Sequence, residues 1–327
     1  MRVLVVSTDW SGLVSPIVDE IRQQGHIVEY LDHSILADFS YFNYFDRIQS
    51  KIFNVFSGEK YKHLRTEEQI ESTLRGFFYG KDVYDLAVFT NPDIFNERHF
   101  KLFKNNSRKL VLNLWDSLER MPKNRSKLHF FDVIRSFDPV DCKNMGFIPT
   151  TNYFHIQEQV MPQREMYDYD VFSVMTFCKE RYPLVEKFID VNPDLKCKIL
   201  LYIDNERKRK YIRHPKVQII TKPVLKGDLR EFISKSKSVL DLGYETQNGF
   251  SFRVFETLAW NKKLITTNKH VIDADFYRES NIYCLPKNYK VADFFIDSPY
   301  THVPADVKNQ YRLDEWVNRL LNLGKGL

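Results

Sequence analysis

The chain has 327 residues, 43% hydrophobic and 28% charged, ordinary globular usage that excludes global disorder and points by length to two domains. Its 48 basic and 43 acidic residues leave a formal charge of +5, which suits anionic ligands such as nucleotide diphosphates and predicts no nucleic-acid partner. The four cysteines, Cys142, Cys178, Cys197 and Cys284, form no CxxC pair and no Cys/His cluster, so a reducing, cytoplasmic setting is expected rather than a disulfide framework or zinc site.

Met1-Arg2 leads directly into Val3-Leu4-Val5-Val6-Ser7, a β-branched apolar run of the kind buried on both faces of a parallel sheet. Such a start predicts no secretory leader, and no window reaches the roughly 18 uncharged apolar residues of a membrane span. A loop with Gly12 follows, then a helix over 15–24 stopped by Gly25 and a second strand over 26–31, together a βαβ unit. The segment 39–56, with Phe39, Tyr41, Phe42, Tyr44, Phe45, Phe53 and Phe56, is aromatic-rich and carries basic residues. It fits a helix packed on the sheet or a peripheral contact with an anionic membrane surface.

Further strands are expected over 85–90, 109–115 and 133–137, with helical stretches between them. The polar, Gln/Glu-rich stretch 157–168 reads as an interdomain linker. Alternation then restarts with a strand over 169–177, a helix over 183–189 and strands over 198–203 and 217–220. A helix over 228–236, a strand over 238–242, a helix over 251–260 and a strand over 263–267 follow. Two successive arrays predict an α/β fold of two Rossmann-like domains, 1–157 and 168–305, with an interdomain cleft. A last helix, over 313–321 within a terminal segment 306–327, is expected to pack back toward the first domain.

The most informative stretch runs from Val239 to Glu256, where a buried strand ends in a polar loop and a helix begins near Ser251. Unpaired N–H groups at a helix start, with the positive dipole end, suit a diphosphate, and Gly249 lets the backbone come close to it. The donor set read here is Gln247, Gly249, Phe250, Ser251, Arg253 and Glu256, with Arg253 for a phosphate oxygen and Glu256 for ribose hydroxyls. Spacing alone fits an ordinary capped amphipathic helix equally well. Lys179 and Arg181 after strand 169–177, and Lys222 before Pro223 after strand 217–220, complete the set; each also fits a solvated turn.

The run Phe250-Ser251-Phe252-Arg253-Val254-Phe255-Glu256-Thr257-Leu258-Ala259-Trp260-Asn261-Lys262-Lys263-Leu264-Ile265-Thr266-Thr267-Asn268 resembles a pattern in bacterial GT-B-fold glycosyltransferases of lipopolysaccharide-core, O-antigen and capsule assembly. Leu112-Asn113-Leu114-Trp115-Asp116-Ser117, the block from Phe131 to Asp141, and Asp275-Phe276-Tyr277 with Asn281-Ile282 are similar to the same group. The resemblance implies a glycosyltransferase that moves a sugar from a nucleotide-sugar donor to a surface glycan or lipid-linked acceptor. It also implies a nucleotide site in the second domain, with Glu256 on the ribose. The retaining pattern of two Glu eight residues apart is broken, because Asn248 stands where the first would be, and the pattern leaves both an inverting and a retaining outcome open.

Under that reading the first domain supplies the acceptor site and a general base. Asp116 is favoured, beside Trp115 at the end of a buried strand, because an apolar neighbour raises a carboxyl's pKa and the indole can stack on a sugar. Asp9, followed by Trp10, Ser11 and Gly12 as acceptor contacts, is the second candidate; Asp138 before Pro139 reads as a turn or cap. Asp273-Ala274-Asp275 matches only the bare string of a metal-binding pair, so neither metal nor cofactor is expected. The competing readings are a nucleotide-sugar 2-epimerase and a non-catalytic nucleotide-sugar-binding scaffold.

Overall fold

The computed structural model describes residues 1–9, 12–36, 61–155, 166–244 and 246–323. Trp10, Ser11, the aromatic segment 39–56 and most of the 157–168 stretch lie outside the described residues. The chain divides into two compact units, Met1–Thr150 with Trp316–Leu327, and Thr151–Glu315. These boundaries differ from the sequence expectation of 157–168 and 305–306 because residues just past Thr150 already belong to the second core. Phe154 N donates to Tyr311 O and Leu313 N donates to Phe154 O, each at 2.9 Å, and the Tyr153 ring meets Phe252 at 5.2 Å. Composition marks polarity, not packing, and so misplaces such a boundary.

The first unit holds six parallel strands, β1 (Arg2–Ser7), β2 (Ile27–Asp32), β3 (Leu86–Phe89), β4 (Leu110–Leu114), β5 (Val133–Ser136) and β6 (Ile148–Pro149), ordered β2-β1-β3-β4-β5-β6. All residues of β3 and β4 are buried, as parallel strands covered on both faces must be. The helix Glu97–Asn106 presses Phe100 and Phe103 onto Phe89, with Phe89–Phe103 edge to face at 4.8 Å, and the helix Tyr61–Phe78 sets Phe78 edge to face on Phe103 at 5.6 Å. Much of the aromatic surplus is therefore core.

The second unit holds β7 (Tyr169–Thr176), β8 (Cys197–Tyr202), β9 (Val217–Ile220), β10 (Ser236–Asp241), β11 (Lys263–Thr266) and β12 (Ile282–Cys284), all parallel and ordered β12-β11-β10-β7-β8-β9. Alternate residues of β7 feed opposite cores. Val171 packs with the helix Tyr182–Val191, while Phe172 packs with the helices Lys226–Ser234 and Phe252–Trp260 and stacks on Phe232 at 5.3 Å. Counted within the unit this is the doubly wound Rossmann order 3-2-1-4-5-6, and the first sheet is the 2-1-3-4-5 order extended by one strand. Each order reverses at one place, β1/β3 in the first unit and β7/β10 in the second, where ligands of such sheets bind beyond the strand ends. Among the described residues no helix is long and apolar enough to cross a membrane.

Candidate functional site

In the second unit β10 ends at Asp241, and the helix Phe252–Trp260 begins after Ser251. Ser251 has the extended backbone of an N-cap, φ −66° and ψ 162°, but its side chain does not cap the helix. Its Oγ donates instead to Asp241 Oδ2 at 2.8 Å. Burial pushes the Asp241 carboxyl above the usual range, opposed by the Ser251 hydroxyl and by the charges of Arg253 and Arg181. The loop carbonyls are held too. Asn268 Nδ2 donates to Asn248 O at 3.1 Å and to Gly249 O at 3.0 Å, and Asn152 Nδ2 donates to Phe250 O at 2.8 Å. A strand end, a pinned loop and a helix start thus meet beside the β7/β10 reversal, and at that start Val254 N donates to Ser251 O at 3.1 Å.

Arg253 and Glu256, one turn into that helix, form an ion pair, Nη1 to Oε2 at 2.5 Å, with side chains 19% and 23% exposed. Pairing holds both side chains at the helix start and still leaves them within reach of a ligand. Arg181 has a different place from the phosphate contact expected of it. Its guanidinium donates to Thr176 O at 2.8 Å and Leu242 O at 3.3 Å and stands 4.2 Å over the Tyr244 ring. It clamps the ends of β7 and β10 across the reversal, a strand-to-strand role that no local pattern reveals. Lys179 is exposed, with its ammonium 4.6 Å over the Tyr211 ring. Lys222 is exposed after β9, three strand positions from β10 or roughly 14 Å away. The structure therefore brings Gly249, Phe250, Ser251, Arg253, Glu256 and Arg181 together but leaves Lys222 apart. Gln247 faces an open cavity of about 590 Å³ beyond the ends of β10, β11 and β12.

At the β1/β3 reversal of the first unit, the Ser7 and Thr90 hydroxyls lie 2.5 Å apart, and the Tyr30 hydroxyl donates to Ser7 O at 3.2 Å. Asp9 follows β1 but is not poised as a base. Its carboxylate accepts from Val14 N at 2.7 Å, Ser15 N at 2.9 Å and the Ser15 hydroxyl, capping the helix Val14–Gln23. Gly12, between them, takes a left-handed φ of 69° and donates its N–H to Asp9 O at 3.2 Å, a turn that lets the carboxylate fold back onto the helix. Asp116 follows β4, one strand beyond the reversal, and pairs with Arg120 Nη1 at 3.4 Å; the two side chains are 40% and 36% exposed. Trp115 beside it is half-buried. Asp138 caps the helix Pro139–Met145 by accepting from Val140 N at 2.9 Å.

Sequence reasoning passed over His33, which opens the helix His33–Leu36 directly after β2, one strand from the reversal, buried and edge-on to Phe95 at 5.8 Å. Burial holds its imidazole below the usual value, against the pull of Asp93 and Asp32. Its only sequence signal was the polar run Asp32-His33-Ser34 at a strand end. Asp273 ends a 3-10 turn, and Asp275 Oδ1 accepts from the Tyr311 hydroxyl at 2.7 Å. Among the described residues no three His, Cys, Asp or Glu side chains are grouped to hold a metal ion.

No protein-family model matches the sequence, and no curated protein does. Solved structures match over nearly the whole chain. AviGT4, a glycosyltransferase involved in avilamycin A biosynthesis, is 10% identical, with 99% of this chain and 97% of that one covered and a TM-score of 0.57. A glycosyltransferase from Rickettsia africae is likewise 10% identical, with coverages of 99% and 97% and a TM-score of 0.58. A mutant of the T4 phage protein BGT in complex with UDP-glucose is 13% identical, with coverages of 99% and 97% and a TM-score of 0.50. At such identities the likeness establishes the fold, two Rossmann-like α/β domains arranged along the chain as in these glycosyltransferases.

Proposed function

We propose that the protein is a glycosyltransferase whose second unit binds a nucleotide-sugar donor at the start of the helix Phe252–Trp260. The observation that carries this reading is the Arg253–Glu256 pair, held one turn into a helix that is itself tied to the end of β10 by Ser251 and Asp241. The two named glycosyltransferases and the UDP-glucose complex, alike in fold, support it.

On donor binding Arg253 exchanges Glu256 for a phosphate oxygen, and the Glu256 carboxylate accepts hydrogen bonds from the ribose hydroxyls. The acceptor oxygen bonds to the anomeric carbon as the bond to the diphosphate breaks, and the acceptor proton passes to a carboxylate. Asp116 is the carboxylate proposed, since Asp9 is occupied as a cap. The helix-start N–H groups and Arg253 carry the charge that builds on the departing diphosphate, with no metal in the scheme. The resemblance supports a bacterial surface glycan or glycolipid as acceptor, reached from the cytoplasmic face of the membrane.

Melting curves with UDP, GDP, ADP, CMP and TDP test this for the wild type and Glu256→Ala. A nucleotide at 100 times its Kd stabilises the folded state by about 2.7 kcal/mol. The expected result is one nucleotide that raises Tm in the wild type and loses that effect in the variant. A flat response to all five would overturn the reading in favour of a scaffold. Release of an epimerised sugar nucleotide from donor alone would favour the 2-epimerase.

A further inference from the structure

The cavity of about 590 Å³ in the second unit is lined by neither Arg253 nor Glu256. Around it stand Lys187 of the helix Tyr182–Val191, Lys269 and His270 just after β11, and Lys287 just after β12; no described lining residue is an Asp or Glu. Three lysines, Lys187, Lys269 and Lys287, thus stand in the described lining of one concave surface. The positive potential that such a concave lining focuses is relieved by an anion.

The rim is built rather than incidental. Lys187 Nζ donates to Lys287 O at 2.9 Å and stands 4.8 Å over the Tyr289 ring. Tyr289 takes a left-handed φ of 63°, a conformation that costs a bulky residue energy and persists only where the surroundings hold it. Asn192 Nδ2 supplies part of that hold by donating to Tyr289 O at 2.9 Å. Elsewhere in the lining Asn268 Oδ1 accepts from His270 N at 3.0 Å, while Asn268 Nδ2 holds the Asn248 and Gly249 carbonyls. One side chain thus sets both the basic turn and the loop that leads to the helix start.

We propose that this cavity is a second anion site, taking a phosphate or carboxylate group of a ligand, distinct from the nucleotide site at Arg253 and Glu256. It rests on the glycosyltransferase reading only in naming that neighbouring site. A phosphate would come from a phosphorylated acceptor or donor, a carboxylate from an acidic sugar.

The test titrates inorganic phosphate and, separately, glucuronate against the whole protein by melting temperature at fixed ionic strength, with chloride as the control. The variants are Lys269→Gln/Lys287→Gln and Glu256→Ala. One of the two probes is expected to give a saturable rise in Tm in the wild type and in Glu256→Ala, weakened at least tenfold in the double lysine variant. That variant should keep its nucleotide-dependent rise. Which probe saturates identifies the group. The proposal fails if neither probe saturates, if the lysine variant responds like the wild type, or if Glu256→Ala abolishes the response. Should the double variant not fold, Lys269→Gln alone is measured, with at least a threefold loss expected and no change overturning the proposal. A flat nucleotide response beside an intact anion response would sink the glycosyltransferase reading and leave this site standing.

Discussion

The hydroxyl of Ser251 donates to Asp241 Oδ2 at 2.8 Å, joining the residue before a helix to the residue that ends its preceding strand. The bond replaces the usual cap and sets how the helix start meets the loop. Ser251→Ala is expected to weaken nucleotide binding about tenfold, or ~1.4 kcal/mol, the worth of one buried hydrogen bond. Calorimetric titration measures this directly. An unchanged Kd would mean that the loop is positioned by Asn268 and Asn152 alone.

Arg253 and Glu256 are paired at i,i+3 near the helix start. Such a pair adds only about 0.2–0.5 kcal/mol to helix stability. In a double-mutant cycle with Arg253→Gln and Glu256→Gln, the coupling in unfolding free energy should therefore stay near that value. The coupling in nucleotide affinity should exceed about 1 kcal/mol, because each residue then contacts the same ligand. Equal couplings in both measurements would reduce the pair to a structural one.

Asp9 accepts two backbone N–H groups at the start of the helix Val14–Gln23. Asp9→Ala should cost about 1–2 kcal/mol in chemical denaturation, the usual loss for a removed cap, whereas Asp9→Asn keeps most of it. Glycosyl transfer by Asp9→Asn should stay within a few-fold of wild type. A loss of a hundredfold in that variant would restore Asp9 as the base.

Asp116, paired with Arg120, carries the opposite expectation. Asp116→Asn should lower kcat by about 10²–10⁴, the range for a lost general base, with the nucleotide-dependent rise in Tm unchanged. Full activity of this variant would remove Asp116 from the proposed mechanism.

Lys263 opens β11 and buries its ammonium against the carbonyls of Phe295 and Ile296 and the Ser298 hydroxyl. Burial holds it down at about 8, from an ordinary 10.5, with Asp297 pulling the other way. Between those two values the unfolded chain binds more protons than the folded one, so this residue's contribution to stability rises with pH across the window. Relative to Lys263→Met, the wild type should gain Tm from about pH 8 to about pH 10. A parallel pH dependence in both proteins would show that the three acceptors keep the ammonium charged.

The strands β1, β3 and β4 were legible because a parallel strand covered on both faces leaves a continuous apolar run, here Val3-Leu4-Val5-Val6, Leu86-Ala87-Val88-Phe89 or Leu110-Val111-Leu112. The helix start after Ser251 was legible for a similar reason, a polar loop giving way to 3.6-residue periodicity. β6 and β12, of two and three residues, are too short to carry a period. The paired faces of the helix Tyr61–Phe78 emerge only against Phe89 and Phe103.

Alternation of strand and helix, doubled along the chain, thus determines the fold class, because periodicity is a property of near neighbours. Which strands adjoin is not. The β7/β10 reversal joins residues far apart in the chain, such as Ser238 beside Val171, and it alone makes Arg181 a clamp between Thr176 and Leu242. Asp9 became a cap for a more local reason, the turn at Gly12. The basic cavity forms only where the ends of β10, β11 and β12 come together. A side chain's chemistry is written in its residue type, but its partner is chosen by the order in which the sheet assembles.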